Sequence, residues 1–273
     1  MKCKFWGVRG SIPVPGPDTV RVGGNTPCVE IKTTDREVLI IDAGTGIRLL
    51  GLDLIERGLD HQPAVLLFSH THWDHIQGLP FFPPARLRWN RLVILGARRV
   101  DRHLEQILAG QMSDAYLPFT LEDLHADLLI KEIHDGEKIV IGNHTSVLPG
   151  KLPHPGGVFG FRITCQGQAI VYASDVNHPP GGLHPRIVEL ARDADLLIHD
   201  AHFTPQEKED RPTWGHSSWL EAVQTAQAAG VRRLALFHHD PMHTDDELEA
   251  IEQQAQAIFA NTFLAREGME VEL

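Results

Sequence analysis

The densest concentration of reactive side chains in this 273-residue sequence is His70-Thr71-His72-Trp73-Asp74-His75. Four groups of metal-ligand type crowd six residues, directly after the apolar run Ala64-Val65-Leu66-Leu67-Phe68. A tight turn can aim His70 and His72 at one ion while Asp74 and His75 turn toward a second. Imidazole with carboxylate suits zinc, and also iron or manganese. The bland alternative is a polar turn that happens to hold three histidines, but this spacing rarely arises without a metal. Histidine is abundant throughout, at 17 residues, so position has to separate ligands from surface groups. His61, His103 and His125 stand in no ligand pattern.

The hexapeptide is the H-x-H-x-D-H signature, and from Asp42 to His238 the chain resembles the metallo-β-lactamase superfamily. The resemblance implies an α/β fold, the αββα four-layer sandwich, over a single domain of residues 1–273. It also implies three further ligands. His154, in Leu152-Pro153-His154-Pro155-Gly156-Gly157, matches the third histidine of the first metal. Asp175, closing Val171-Tyr172-Ala173-Ser174-Asp175, matches the bridging carboxylate. His238, after Leu234–Phe237, matches the last histidine of the second metal, with His239 as the alternative. The expected cofactor is thus a pair of divalent ions, zinc first, with manganese or iron as alternatives. Histidine at position 72, where flavo-diiron relatives carry glutamate, favours hydrolysis over redox chemistry. Asp42, in Ile41-Asp42-Ala43-Gly44, matches the superfamily's D-x-G, where a carboxylate can orient a ligand histidine. A strand-end turn is its structural alternative.

Two more motifs narrow the chemistry. Ile198-His199-Asp200-Ala201-His202-Phe203-Thr204 and Trp214-Gly215-His216-Ser217-Ser218 are similar to a pair in the ribonuclease Z-like phosphodiesterase branch, where an acidic residue orients a histidine. Asp200 replaces the glutamate usual there. Gly215-His216-Ser217 could equally be a plain helix start. The resemblance assigns Asp74, Asp200 and His216 to catalysis. Two dications would bring a water between them close to neutral pKa, making a metal-bridging hydroxide the expected nucleophile toward phosphorus. His216 would donate to the phosphate or the leaving oxygen. The openings Trp6-Gly7-Val8-Arg9-Gly10-Ser11-Ile12-Pro13 and Gly23-Gly24-Asn25-Thr26 resemble those of cyclic-phosphodiester and ribonuclease Z relatives. Asn25 could cap the site or make a turn.

The expected substrate is a small or cyclic phosphodiester, such as a cyclic nucleotide. RNA ranks lower. Transfer-RNA 3′ endonucleases usually carry a long basic arm between the third histidine and the bridging aspartate, and here only a short stretch separates His154 from Asp175. Net charge is −11, which disfavours a phosphate backbone, although Arg86, Arg88, Arg91, Arg98, Arg99 and Arg102 cluster. An ester, thioester or lactone hydrolase of glyoxalase II type is the other enzymatic reading, and a metal-stabilised binding protein the non-enzymatic one. No feature requires a protein partner, and a homodimer stays open.

These residues need elements to carry them. Apolar runs at 38–41, 64–68, 92–95, 139–141, 159–164, 169–173, 196–198 and 234–237 predict strands, and helical spacing predicts helices over 47–57, 217–229 and 245–259. Asp42, His70, Asp175, Asp200 and His238 all fall at strand ends, where side chains from several strands converge on one rim. Cys3, Cys28 and Cys165 are odd in number and unpaired in pattern, so free buried thiols in the cytoplasm are expected. No stretch reaches membrane-spanning length and no signal segment stands at the start.

Overall fold

The computed structural model describes residues 1–35, 38–59, 62–87, 91–98 and 101–273. Its first sheet begins with β1 (Lys2–Gly7), β2 (Cys28–Lys32) and β3 (Val38–Ile41), paired antiparallel. Parallel pairing then continues through β4 (Ala64–Leu67), β5 (Arg91–Ala97) and β6 (Asp127–Ile133). In the second sheet, β7 (Ile139–Ile141), β8 (Thr145–Leu152), β9 (Val158–Cys165) and β10 (Gln168–Ala173) form an antiparallel meander. Parallel pairing then adds β11 (Leu196–Asp200), β12 (Leu234–Phe237) and β13 (Thr262–Leu264). The last strand, β14 (Glu270–Glu272), returns to the first sheet beside β1.

Alternation along the central strands creates the layers. Val38, Ile40 and Leu66 face outward with Ile47, Leu50 and Leu54 of α1 (Ile47–Glu56). Leu39, Ile41, Val65 and Leu67 face inward, into the core shared with Phe161, Ile170 and Phe237 of the second sheet. The short α2 is Trp73–Ile76, and α3 (Leu104–Gln111) adds Leu104 and Leu108 to the outer core. On the far side, α4 (Pro185–Ala191), α6 (Trp219–Ala229) and α7 (Asp245–Ile258) cover the second sheet with Ile187, Val223 and Ile251, while α5 (Pro205–Asp210) lies among the connections. Parallel strands buried on both faces read as continuous apolar runs, which is why VLII and AVLL are legible as strands. The αββα expectation is met.

All eight expected strands are strands. The helix expected over 217–229 starts two residues later, because Ser218 caps α6: its hydroxyl accepts from the Glu221 N–H in a capping box. The Ser217 hydroxyl instead donates to the Val176 carbonyl. The three cysteines are free and buried. Among the described residues, no helix is long and apolar enough to cross a membrane.

Candidate metal centre

Strand ends bring the site together. The turn after β4 and the start of α2 supply His70, His72, Asp74 and His75, and the β8–β9 hairpin supplies His154. Asp175 follows β10, Asp200 ends β11 and His238 follows β12. Asp42, Asp175 and His238 hold φ of 61°, 55° and 62°. A non-glycine residue in the left-handed region costs about 1–3 kcal/mol, a strain that clusters at functional sites.

Two overlapping donor sets result. In the first, the His72 Nδ1 lies 3.2 Å from His154 Nε2, and Asp175 Oδ1 lies 3.8 Å from His70 Nε2 and 3.9 Å from His154 Nε2. In the second, His75 Nε2 lies 3.2 Å from His238 Nε2, 3.3 Å from Asp74 Oδ2 and 3.1 Å from Asp175 Oδ2. His238 Nε2 is 3.2 Å from Asp74 Oδ2 and 3.2 Å from Asp175 Oδ2. A tetrahedron around an ion with bonds of about 2.0–2.1 Å has edges of roughly 3.3 Å. The second set matches those edges, and the first is slightly wider. Asp175 directs one oxygen to each set, the disposition of a bridging carboxylate.

Each set also has its orienting partners. The His70 Nδ1–H points at the Ser69 hydroxyl, which donates in turn to Asp42. His75 Nδ1 donates to Asp42 at 2.8 Å, and His154 Nδ1 donates to the Gly215 carbonyl at 2.9 Å. These bonds leave Nε2 of all three rings with a free lone pair, the form that binds a cation. Asp42 additionally accepts from the Ser69 N–H and the Tyr172 hydroxyl, so it orients ligands and is more than a turn residue.

The electrostatics fit cations. Burial holds His70 well below its ordinary pKa, with help from the neighbouring histidines, and pulls His72 down to about 4; both rings are therefore neutral donors. Burial opposes charge on His75 as well, but Asp74, Asp175 and Asp42 outweigh it and raise its pKa well above normal. Three carboxylates around one imidazole call for positive charge, which an ion supplies in place of the proton. The buried His70 Nε2 has no hydrogen-bond partner among the described residues, as suits an atom reserved for a metal.

Beside this cluster, His216 Nδ1 donates to Asp200 Oδ2 at 2.9 Å and lies 3.9 Å from Asp175 Oδ1. The shorter aspartate therefore reaches, because β11 and the start of α6 are pinned together: Asp200 also accepts from the Ser217 N–H. Burial lowers the His216 pKa, but Asp200 and the other carboxylates prevail and raise it to about 9. His239, the alternative ligand, turns away and donates from Nε2 to the Ala265 carbonyl. Asn25 does not cap the site; it binds Glu267 and Thr45. Of the exposed arginines, Arg86 stacks on Phe119 and Arg91 pairs with Asp127, as surface residues do. Arg88, Arg99 and His61 lie outside the described residues.

Three contributors were not singled out from sequence. His202 Nδ1 donates to the His238 carbonyl, and its ring stacks on His216 with centroids 4.3 Å apart. The Ser11 N–H donates to Asp74 Oδ2 at 2.8 Å. Gly10 packs so closely that a Cβ there would lie 2.5 Å from the His238 ring. A histidine two residues after Asp200, and the Gly10-Ser11 pair in the N-terminal opening, were the available signals.

Comparison with known proteins agrees. The sequence matches the Beta-lactamase superfamily domain over residues 37–239. A ribonuclease Z of Nostoc is 40% identical over 327 aligned positions, covering 100% of this chain and 95% of its own. A ribonuclease Z of Gemmatimonas aurantiaca is 26% identical, covering 88% of each. In structure, the metallo-beta-lactamase fold protein YhfI of Bacillus subtilis superposes with a TM-score of 0.75 at 22% identity, covering 100% of this chain and 98% of its own. The short form of human tRNase Z gives 0.71 at 19%, covering 100% and 99%. At such identities these two structures speak to the fold alone. The chain belongs to the metallo-β-lactamase superfamily as a ribonuclease Z-like member, and it is a metal-dependent hydrolase.

Proposed function

We propose that the chain hydrolyses small or cyclic phosphodiesters at two divalent ions, with residues 1–273 acting as one catalytic domain. His70, His72 and His154 would hold the first ion, Asp74, His75 and His238 the second, and Asp175 both. Zinc is favoured over manganese or iron by five imidazoles set near tetrahedral edges. Bound there, the ions would supply water activation and charge stabilisation at phosphorus. The observation that carries the reading is the His216–Asp200 pair, 2.9 Å apart, beside the donor cluster. Asp200 fixes the orientation of His216 and leaves Nε2–H of the protonated ring free to donate to a phosphoryl or leaving oxygen. A protonated His216 also matches the negative charge that a phosphodiester carries from the outset and a neutral ester or thioester lacks. The setting is read as cytoplasmic.

The name of the relatives supports a second reading, cleavage of RNA. Against it, the segment between His154 and Asp175 is filled by the β9–β10 hairpin and leaves no room for an arm. The Nostoc alignment runs over 327 positions against 273 residues here, so that relative carries segments this chain lacks.

The test is a substrate panel on the zinc-loaded protein: a 2′,3′-cyclic nucleotide, bis-p-nitrophenyl phosphate, a precursor transfer RNA and a thioester. Turnover is expected with the two small diesters and should disappear with chelator. His216→Ala should lower kcat on them by about 10²–10⁴-fold with metal content unchanged. Faster turnover of the thioester, or undiminished diester turnover by the variant, would overturn the reading.

A further inference from the structure

We infer that Trp214 is a stacking platform for a nucleobase attached to the scissile phosphate. The inference rests on the phosphodiesterase reading and extends it to the part of the substrate that the metal cluster does not touch.

Trp214 is 60% exposed, although the residues that follow it, Gly215 to Ser218, are buried or half-buried. A large aromatic side chain left in water at the edge of an enclosed segment is a feature that a ligand can explain. The indole is nevertheless held. It meets the fully buried Phe203 edge-on, centroids 6.3 Å apart, and the Arg211 guanidinium lies 5.4 Å from the indole ring and 5.4 Å from Phe203. Phe203 in turn touches His216 at 5.8 Å and His202 at 4.7 Å.

The backbone ties the same indole to the donor cluster. Gly215, with φ of +86°, offers its carbonyl to His154, and a Cβ there would lie 2.4 Å from Pro155 and 2.7 Å from His154. The indole therefore sits one residue from a contact to a candidate ligand and two residues from the candidate proton donor. Arg211 brings a second feature. Its Nη1 is buried with no hydrogen-bond partner among the described residues, and its nearest carboxylate oxygen, on Asp240, is 4.0 Å away. A flat aromatic face beside a guanidinium cation suits a nucleobase, whose π-face stacks on the indole. The base could belong to a free nucleotide or to an RNA end; the chemistry recognised is the same.

The test compares 2′,3′-cyclic AMP with glycerol 1,2-cyclic phosphate, which has no base, on zinc-loaded wild type, Trp214→Ala and Trp214→Phe. The alanine variant should raise KM for cyclic AMP about ten-fold more than for the base-free diester, and phenylalanine should restore most of the difference. Equal changes on both substrates, or a fall in kcat without the KM difference, would overturn the inference. A short oligoribonucleotide separates the sources once the cyclic AMP difference is seen: a larger defect on it than on cyclic AMP assigns the base to an RNA end, and an equal defect assigns it to a free nucleotide. Should wild type turn over no diester, the phosphodiesterase reading fails, and calorimetry decides the stacking separately. Wild type would then bind adenosine 5′-monophosphate more tightly than ribose 5-phosphate, with Trp214→Ala abolishing the preference; no preference in wild type would overturn the inference.

Discussion

At the scale of single residues, the histidines divide by environment. His178 lies outside the donor cluster, accepts the His184 N–H at Nδ1, and places Nε2 3.4 Å from His199 and 3.3 Å from Thr225. Burial, reinforced by His199 and Lys208, pulls its pKa down to about 3. An unfolded chain takes up this proton near pH 6.5, whereas the folded chain refuses it until about pH 3. The contribution of His178 to stability is therefore complete above about pH 6.5 and is lost progressively as pH falls toward the folded value. Denaturant titrations between pH 6.5 and 4 should show His178→Gln with a shallower pH gradient than wild type, by about one proton. An unchanged gradient would mean that His178 is protonated in the fold. Legibility at this scale followed chain proximity. The hexapeptide places four groups within six residues, and Asp175 and His238 follow apolar strands at the positions that the superfamily resemblance marks, so both could be read. His202 and Tyr172 could not, because their work depends on partners 36 and 130 positions away.

At the scale of elements, long apolar strands were readable and mixed ones were not. β8 contains Pro149 and Gly150, which argue against a strand. It exists because β7 pairs only with 145–147, so Pro149 faces no ladder that needs its missing N–H. α5 is too short for periodicity, and the Thr204–Glu207 capping box with Pro205 at its first position marks it. The N-terminal loop after β1 also holds the second donor set, through the Ser11 N–H and the Gly10 surface. Gly10→Ala should push against His238 and weaken the second ion by roughly 10–100-fold, the scale seen when a ligand's support is disturbed. Competition between the protein and a zinc chelator measures this. Equal affinity for two ions in variant and wild type would show that the loop yields.

At the scale of the molecule, one fully buried side chain fastens distant parts of the chain. Arg9 donates to the carbonyls of Gly23, Asp240 and His243 and pairs with Asp245 at the start of α7. It thereby joins the N-terminal loop to the segment after His238. Removing one partner of a buried ion pair leaves the other uncompensated, at a cost of about 3–5 kcal/mol. Arg9→Met should fall at the lower end of that range, because Asp245 keeps the N–H groups of Arg21 and Val22. Urea unfolding measures the loss, and Arg9→Met/Asp245→Asn should recover part of it. No recovery would mean that the carbonyl contacts dominate.

The left-handed backbone at Asp42, Asp175 and His238 has an evolutionary corollary. Glycine would relax at each of these positions, so selection for heat tolerance alone would reward the loss of the very groups that gather the cations. A hardier descendant of this chain would have to gain its resilience elsewhere, on surfaces remote from the three corners, or forfeit turnover.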